Sequence, residues 1–226
     1  MPMLLNPFWY ADQNPSVLLC HFDGTQGSTV IVDVYNHTMT AQGSAFIDQS
    51  QFVFGSASLR MDGAGDYVDS PYSTDWNFNA GDFTIEFRVR FASVAVDYVM
   101  ASQWGAAGAR GWHIAWFAGN LRFSYSTDGS GQTDLDRVWA PSANTWYGLA
   151  FTRAGTALRL FINGTQQGSA FVVTDTIFPG TAGLFVGRLG GNASYDVNGW
   201  IDEMRIQKGN AAYTADYTLA TEPFSS

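Results

Sequence analysis

Cysteine and lysine are almost absent: Cys20 and Lys208 are the only ones among 226 residues. A lone cysteine excludes an internal disulfide, and its place in the apolar run VLLCHF reads as a small buried thiol. Ten scattered arginines and one lysine offer no clustered cationic surface, and the net charge is −9. Nucleic acid is therefore excluded as a partner, because a phosphate backbone is held by grouped cations. The same charge disfavours an anionic membrane surface. No apolar run approaches the ~18 residues of a membrane span, so membrane insertion is not expected. The N-terminus MPMLLNPFWYADQNPS lacks the basic stretch and long apolar core of a signal peptide. Glutamate is scarce too, with only Glu86, Glu203 and Glu222 in unrelated segments.

What the chain has in quantity is aromatic residues, at 15%, and glycine, at 24 residues. That much apolar surface can offset the entropy of ordering the chain, which excludes intrinsic disorder. From Ser16 onward the dominant period is two. In FTIEFRVRF, Phe83, Ile85, Phe87, Val89 and Phe91 share one face, and Thr84, Glu86, Arg88 and Arg90 share the other, as in a half-buried antiparallel strand. LRFSYS repeats the alternation. ALRLFINGTQQGSAF places Asn163-Gly164 between two extended runs, a strong hairpin signal because a type I′ turn needs positive φ at both central residues. SVLLCHF, STVIVDV, ASLRMDG, DYVMASQW, GWHIAWF, TWYGLAFTRA, GLFVGRL and GWIDEMRIQ are further strand candidates. STDWNF could form one short helical turn capped by Ser73. Many short strands separated by turn signals predict an all-β, two-sheet antiparallel sandwich.

Residues 1–15 stand apart as an N-terminal arm, with 16–226 as one domain. Prolines 2, 7 and 15 discourage regular structure in the arm, while Leu4, Leu5, Phe8, Trp9 and Tyr10 are too apolar for a solvated tail. The arm either packs on its own domain or docks on a partner, since apolar and aromatic patches mark interfaces.

Several motifs, in order, carry a family likeness. LLCHFDGTQGS, FGSASLRMDGAGDYVDSP, WNFNAGDFTIEFRVRF, TWYGLAFTRAGTALRLFINGTQQGSA, LFVGRL with GWIDEMRIQKG, and the ending AAYTADYTLATEPF resemble laminin-G-like, concanavalin-A-like domains. The likeness spans roughly 16–224, and the HFDG opening with the AAYTADY ending is similar to the variant common in tailed-phage virion proteins. It implies a jelly roll used for adhesion and glycan binding, sometimes with calcium. It also implies a virion-surface setting, with the arm anchoring a stand-alone domain to other virion proteins, as a homo-oligomer or within a particle. A structural calcium bridging the first and last strands would fall on Asp23 in HFDG and Asp202 in WIDEMRI; the alternative is that Asp202 hydrogen-bonds backbone and Asp23 caps a turn.

The family includes glycoside hydrolases, which need two suitably spaced carboxyl groups. Glu86 is flanked two residues away by Thr84 and Arg88, not by a second acid. Asp134 and Asp136 have i, i+2 spacing, but the polar stretch around them reads as a solvated loop. His21 and His113 look like ordinary strand positions. No catalytic residues are therefore expected; the rivals to a virion adhesion module are a glycan-degrading hydrolase and a free soluble lectin. Sugar faces are met by flat rings beside polar groups. Trp104, Trp139, Tyr125 and Tyr195, near loops or turns, are the candidate ring residues, with Asp128 and Asn192 as hydrogen-bonding partners for a cell-surface glycan.

Overall fold

The computed structural model describes residues 15–226. Among these described residues two antiparallel sheets stack face to face, as the strand pattern and the family likeness predict. The first has nine strands. In spatial order these are β14 (Thr165–Gln166), β13 (Ala157–Ile162), β12 (Trp146–Ala154), β7 (Phe83–Phe91), β17 (Asn198–Lys208), β5 (Ser58–Asp62) and β4 (Phe46–Asp48). β1 (Ser16–Cys20) joins β17, and β15 (Phe171–Val172) joins β13. The second sheet has eight strands. They run β11 (Thr133–Val138), β10 (Asn120–Tyr125), β9 (Trp112–Phe117), β8 (Tyr98–Gln103), β16 (Leu184–Val186), β6 (Tyr67–Ser70), β3 (Met39–Gln42) and β2 (Val30–Ile31).

The inward residues of each strand meet in one core. Phe83 stacks on Phe123 at 5.6 Å, Phe87 on Phe151 at 6.5 Å, and Phe91 on Tyr98 at 5.4 Å. Such aromatic pairs add to the burial of large apolar area. Asn163 and Gly164 both take positive φ, as the hairpin requires, and Ser73 caps the Thr74–Trp76 turn by accepting from Asp75 N. STVIVDV contributes only Val30–Ile31 to a sheet; Val30, Val32 and Val34 stay exposed.

β17 is the pivot of the first sheet. Along one side it pairs with β7, and along the other it pairs first with β5 and then with β1. The register shifts between Asp202 and Arg205, where the partner changes, and Glu203 there takes φ +51°. A bulge of this kind re-aims side chains and bends the strand.

The outer face of β7 departs from the half-buried expectation: Thr84, Glu86 and Arg88 are buried as deeply as the core side. The reason is the C-terminal tail, which crosses this face. Thr84 Oγ1 donates to Asn210 O, Thr152 Oγ1 donates to Tyr213 O, and Arg88 Nη2 donates to Ala220 O. Tyr213 Oη donates to Glu86 Oε2 at 2.9 Å, and Arg205 Nη2 reaches Glu86 Oε1 at 2.6 Å. The Tyr213 and Tyr217 rings stack at 3.5 Å, and burial pushes both hydroxyls well above their usual range.

The tail fits because Gly148 leaves room beneath it: a Cβ there would collide with Arg88 Nη1 and Leu219 Cδ1. Gly148→Ala is expected to lower stability by about 1–3 kcal/mol, measured by urea unfolding, through overpacking alone.

Candidate functional site

The second sheet presents the better-formed hollow. Strand register sets its floor through one row: Ser102, His113, Ser124 and Asp134 stand side by side across β8, β9, β10 and β11, and of these His113 lines the hollow. Beside that row lie Ala115, Arg122 and Asp136. Alternation sends these residues outward while Trp112, Ile114, Leu121 and Phe123 fill the core.

Two loops wall this floor. The first follows β8; Gly108 N and Arg110 N both donate to Gly129 O, tying it to the neighbouring turn. The second follows β16 and is tethered by Ser102, whose hydroxyl donates to Arg188 O and accepts from Gly190 N. Arg188 braces it by donating to Asp196 at 2.7 Å. The enclosed groove has a volume of about 260 Å³, and a second hollow of about 280 Å³ continues past Trp104 and Arg110.

Trp104, Asn192 and Tyr195 line the groove together. Trp104 is nearly buried, with the Arg110 guanidinium over its ring at 5.4 Å and the His113 ring edge-on at 4.7 Å. Tyr195 meets Phe117 edge-on at 5.7 Å, and Arg122 lies over Phe117 at 4.8 Å. Asn192 also caps its own turn by accepting from Ser194 N.

The other three ring and polar candidates are placed elsewhere. Tyr125 and Trp139 turn inward and join the core, because their positions face the opposite sheet. Tyr125 donates to Asp175, and Trp139 O accepts from Trp116 Nε1. Asp128 builds a turn: its Oδ1 accepts from Gly131 N, Ser130 N and Ser126 Oγ. The backbone donors of Gly131 and Ser130 hold this carboxyl below its usual range.

Arg110, His113, Phe117, Arg122 and Gln132 also line the groove, though nothing in the sequence singles them out as a set. Burial pushes the His113 imidazole down to about 4, the neighbouring Asp134 opposing and Arg122 assisting. Its Nδ1 has no hydrogen-bond partner among the described residues. The outward alternation of His113, Arg122, Ser124 and Asp134 is the signal that could have found the floor.

Asp134 and Asp136 lie on β11, not in a loop. Arg122 grips both: Nε meets Asp136 Oδ1 at 2.7 Å and Nη1 meets Asp134 Oδ2 at 3.0 Å. Ser124 Oγ donates to Asp134 as well. Glu86, the other carboxylate weighed, lies under the tail on the first sheet.

Asp23 and Asp202 both grip the loop before β5. Asp23 Oδ1 accepts from Ser56 N and Ala57 N, and Asp202 Oδ2 accepts from Val53 N and Phe54 N. The other oxygen of Asp202, Oδ1, is buried with no hydrogen-bond partner among the described residues. Among the described residues, no three His, Cys, Asp or Glu side chains are grouped to hold a metal ion. The arm residues Leu4, Leu5, Phe8, Trp9 and Tyr10 lie outside the described residues.

A family model described as the concanavalin A-like lectin/glucanases superfamily (Laminin_G_3) matches residues 62–215. No curated protein matches this sequence. Among solved structures, the binding domain of Paraclostridial Mosquitocidal Protein 1 superposes with a TM-score of 0.70 at 18% identity, over 88% of this chain and 50% of that one. The botulinum neurotoxin serotype G binding domain gives 0.67 at 13% identity, over 88% and 48%. The binding domain of botulinum neurotoxin DC in complex with SialylT gives 0.62 at 15%, over 85% and 48%. The chain spans about half the length of these structures, and at such identities the likeness is one of fold.

Burial pushes the Asp202 carboxyl up to about 7, against the opposing N–H groups of Val53 and Phe54. Its folded value exceeds its unfolded one, so its contribution to stability is complete below about pH 4 and is lost as pH rises through 7. Asp202→Asn keeps an acceptor for both N–H groups. Urea unfolding should show the variant more stable than wild type at pH 8, by on the order of 1–3 kcal/mol, with the difference shrinking toward pH 4.

Proposed function

The chain belongs to the concanavalin A-like lectin/glucanase superfamily, and from that premise we propose that it is a non-catalytic carbohydrate-binding module whose ligand lies in the groove on the second sheet. The observation that carries this reading is the meeting of Trp104, Phe117 and Tyr195 with Arg110, His113, Gln132 and Asn192 around one hollow. Apolar rings suit the C–H faces of a pyranose, and the polar groups suit its hydroxyls, the composition expected of a small-molecule site. The neurotoxin binding domain in complex with SialylT supports a glycan ligand in general terms.

The carboxylates favour binding over hydrolysis. A glycosidase needs one acid ready to give a proton and a second to attack or to activate water. Asp134 and Asp136 are instead both acceptors for one guanidinium. Glu86 is engaged by Arg205 and Tyr213.

The finer setting we propose is the surface of a phage-type particle, with the arm through Leu4, Leu5, Phe8, Trp9 and Tyr10 as the anchor to other virion proteins. It rests on the order of the sequence motifs and on the apolar arm. Repeated copies on a particle would raise avidity for a weakly held sugar.

A glycan panel followed by calorimetry tests the binding reading. Tyr195→Ala is expected to weaken the best ligand about tenfold while shifting Tm by no more than a few degrees. Absence of binding to any glycan, or release of reducing sugar that stops in Asp134→Asn, would refute it. Deleting residues 2–12 should leave the melting transition intact and prevent incorporation into particles; normal incorporation of the truncated chain would refute the anchor.

A further inference from the structure

We infer that the groove selects a sugar bearing a carboxylate, and that Arg110 is the group that takes the acid; the inference rests on the glycan-binding reading above. The two arginines that line the groove differ in their partners. Arg122 is matched by carboxylates within the fold, as are Arg188 and Arg205 elsewhere. Among the described residues Arg110 has no carboxylate partner; six further arginines share that lack, but none of them lines the groove. Its Nη1 donates to the carbonyl of Ser130, and its Nε is buried with no hydrogen-bond partner among the described residues. In a chain of net charge −9, an unmatched cation set into a hollow calls for a reason.

The guanidinium is also held in place. It lies over the Trp104 ring at 5.4 Å, a cation–π contact that, with the Ser130 carbonyl, holds it at the groove before any ligand arrives. Beside it, His113 packs edge-on against the same ring and is nine-tenths buried, with Nδ1 unpartnered. This imidazole is neutral near pH 7, so it offers hydrogen bonding without a second charge.

The other part of the groove has the opposite character. Arg122 lines it already paired with Asp134 and Asp136, two acids outside the lining that leave no free positive charge for an anionic group. Trp104, Arg110 and Asn192 border both hollows, whereas Arg122 and Gln132 border only the first. A sugar with its acid toward Arg110 and its hydroxyls toward Gln132 satisfies both parts; a neutral sugar leaves Arg110 unmatched.

The test is calorimetry on the full chain at pH 7 with two matched ligand pairs. One pair is a glucuronate-containing oligosaccharide and its carboxyl-reduced form; the other is a sialylated oligosaccharide and its desialylated form. In at least one pair the acidic member should bind about tenfold tighter or better, as a charge-assisted contact implies, and added salt should shrink that ratio. Which pair responds identifies the source of the acid. In Arg110→Gln the ratio should fall to about one. Equal affinity within both pairs, or a ratio that survives Arg110→Gln, overturns the inference while leaving glycan binding intact. Failure to bind any of the four overturns the reading beneath it. The wild-type comparison decides the matter even if the variant does not fold.

Discussion

A buried ion pair governs this molecule: Arg205 of the pivot strand β17 with Glu86 of its neighbour β7, capped by the Tyr213 hydroxyl. Breaking such a pair strands a charge out of water, at a cost of about 3–5 kcal/mol. The pair draws the tail across the first sheet, and Thr84, Thr152 and Arg88 complete the attachment through backbone carbonyls. Polar residues on that outer face are thus consumed by the fold itself.

The second sheet is left to face outward, and its loops shape what it can hold. Ser102 is small and fully buried, yet its hydroxyl satisfies both ends of the Arg188–Gly190 turn. Rigid loop attachment of this kind limits the entropy lost on binding. The polar groups are sorted as well, with an unmatched guanidinium at the Trp104 end and a guanidinium shared by two acids at the β11 side. An uneven hollow of this type reads the orientation of a ligand as well as its shape.

Much of the fold was legible because strand alternation is a strong signal. Phe83, Ile85, Phe87, Val89 and Phe91 point inward as their spacing requires, and Asn163-Gly164 makes its turn from its own backbone preferences. Thr84, Glu86 and Arg88 misled, because a polar face reads the same under solvent or under a distant segment of chain. The groove was half legible. Trp104, Asn192 and Tyr195 stand beside glycine-rich loops, a local clue. Tyr125 and Trp139 resemble them in sequence, but inward or outward orientation is set by strand register. His113 and Arg122 matter through cross-strand neighbours on β9, β10 and β11, which single-sequence reading does not pair.

The central place of β17 also bears on how the protein is made. Ser16 pairs with Gln207, and Leu59 with Ile201, so the first sheet closes only once β17 has been made. Until then β1 lacks its partner, and β5 and β7 each keep an open edge, the condition under which strands join those of other molecules. Closing the sheet depends on contacts between residues far apart in the sequence, and folding should be slow for a domain of this size.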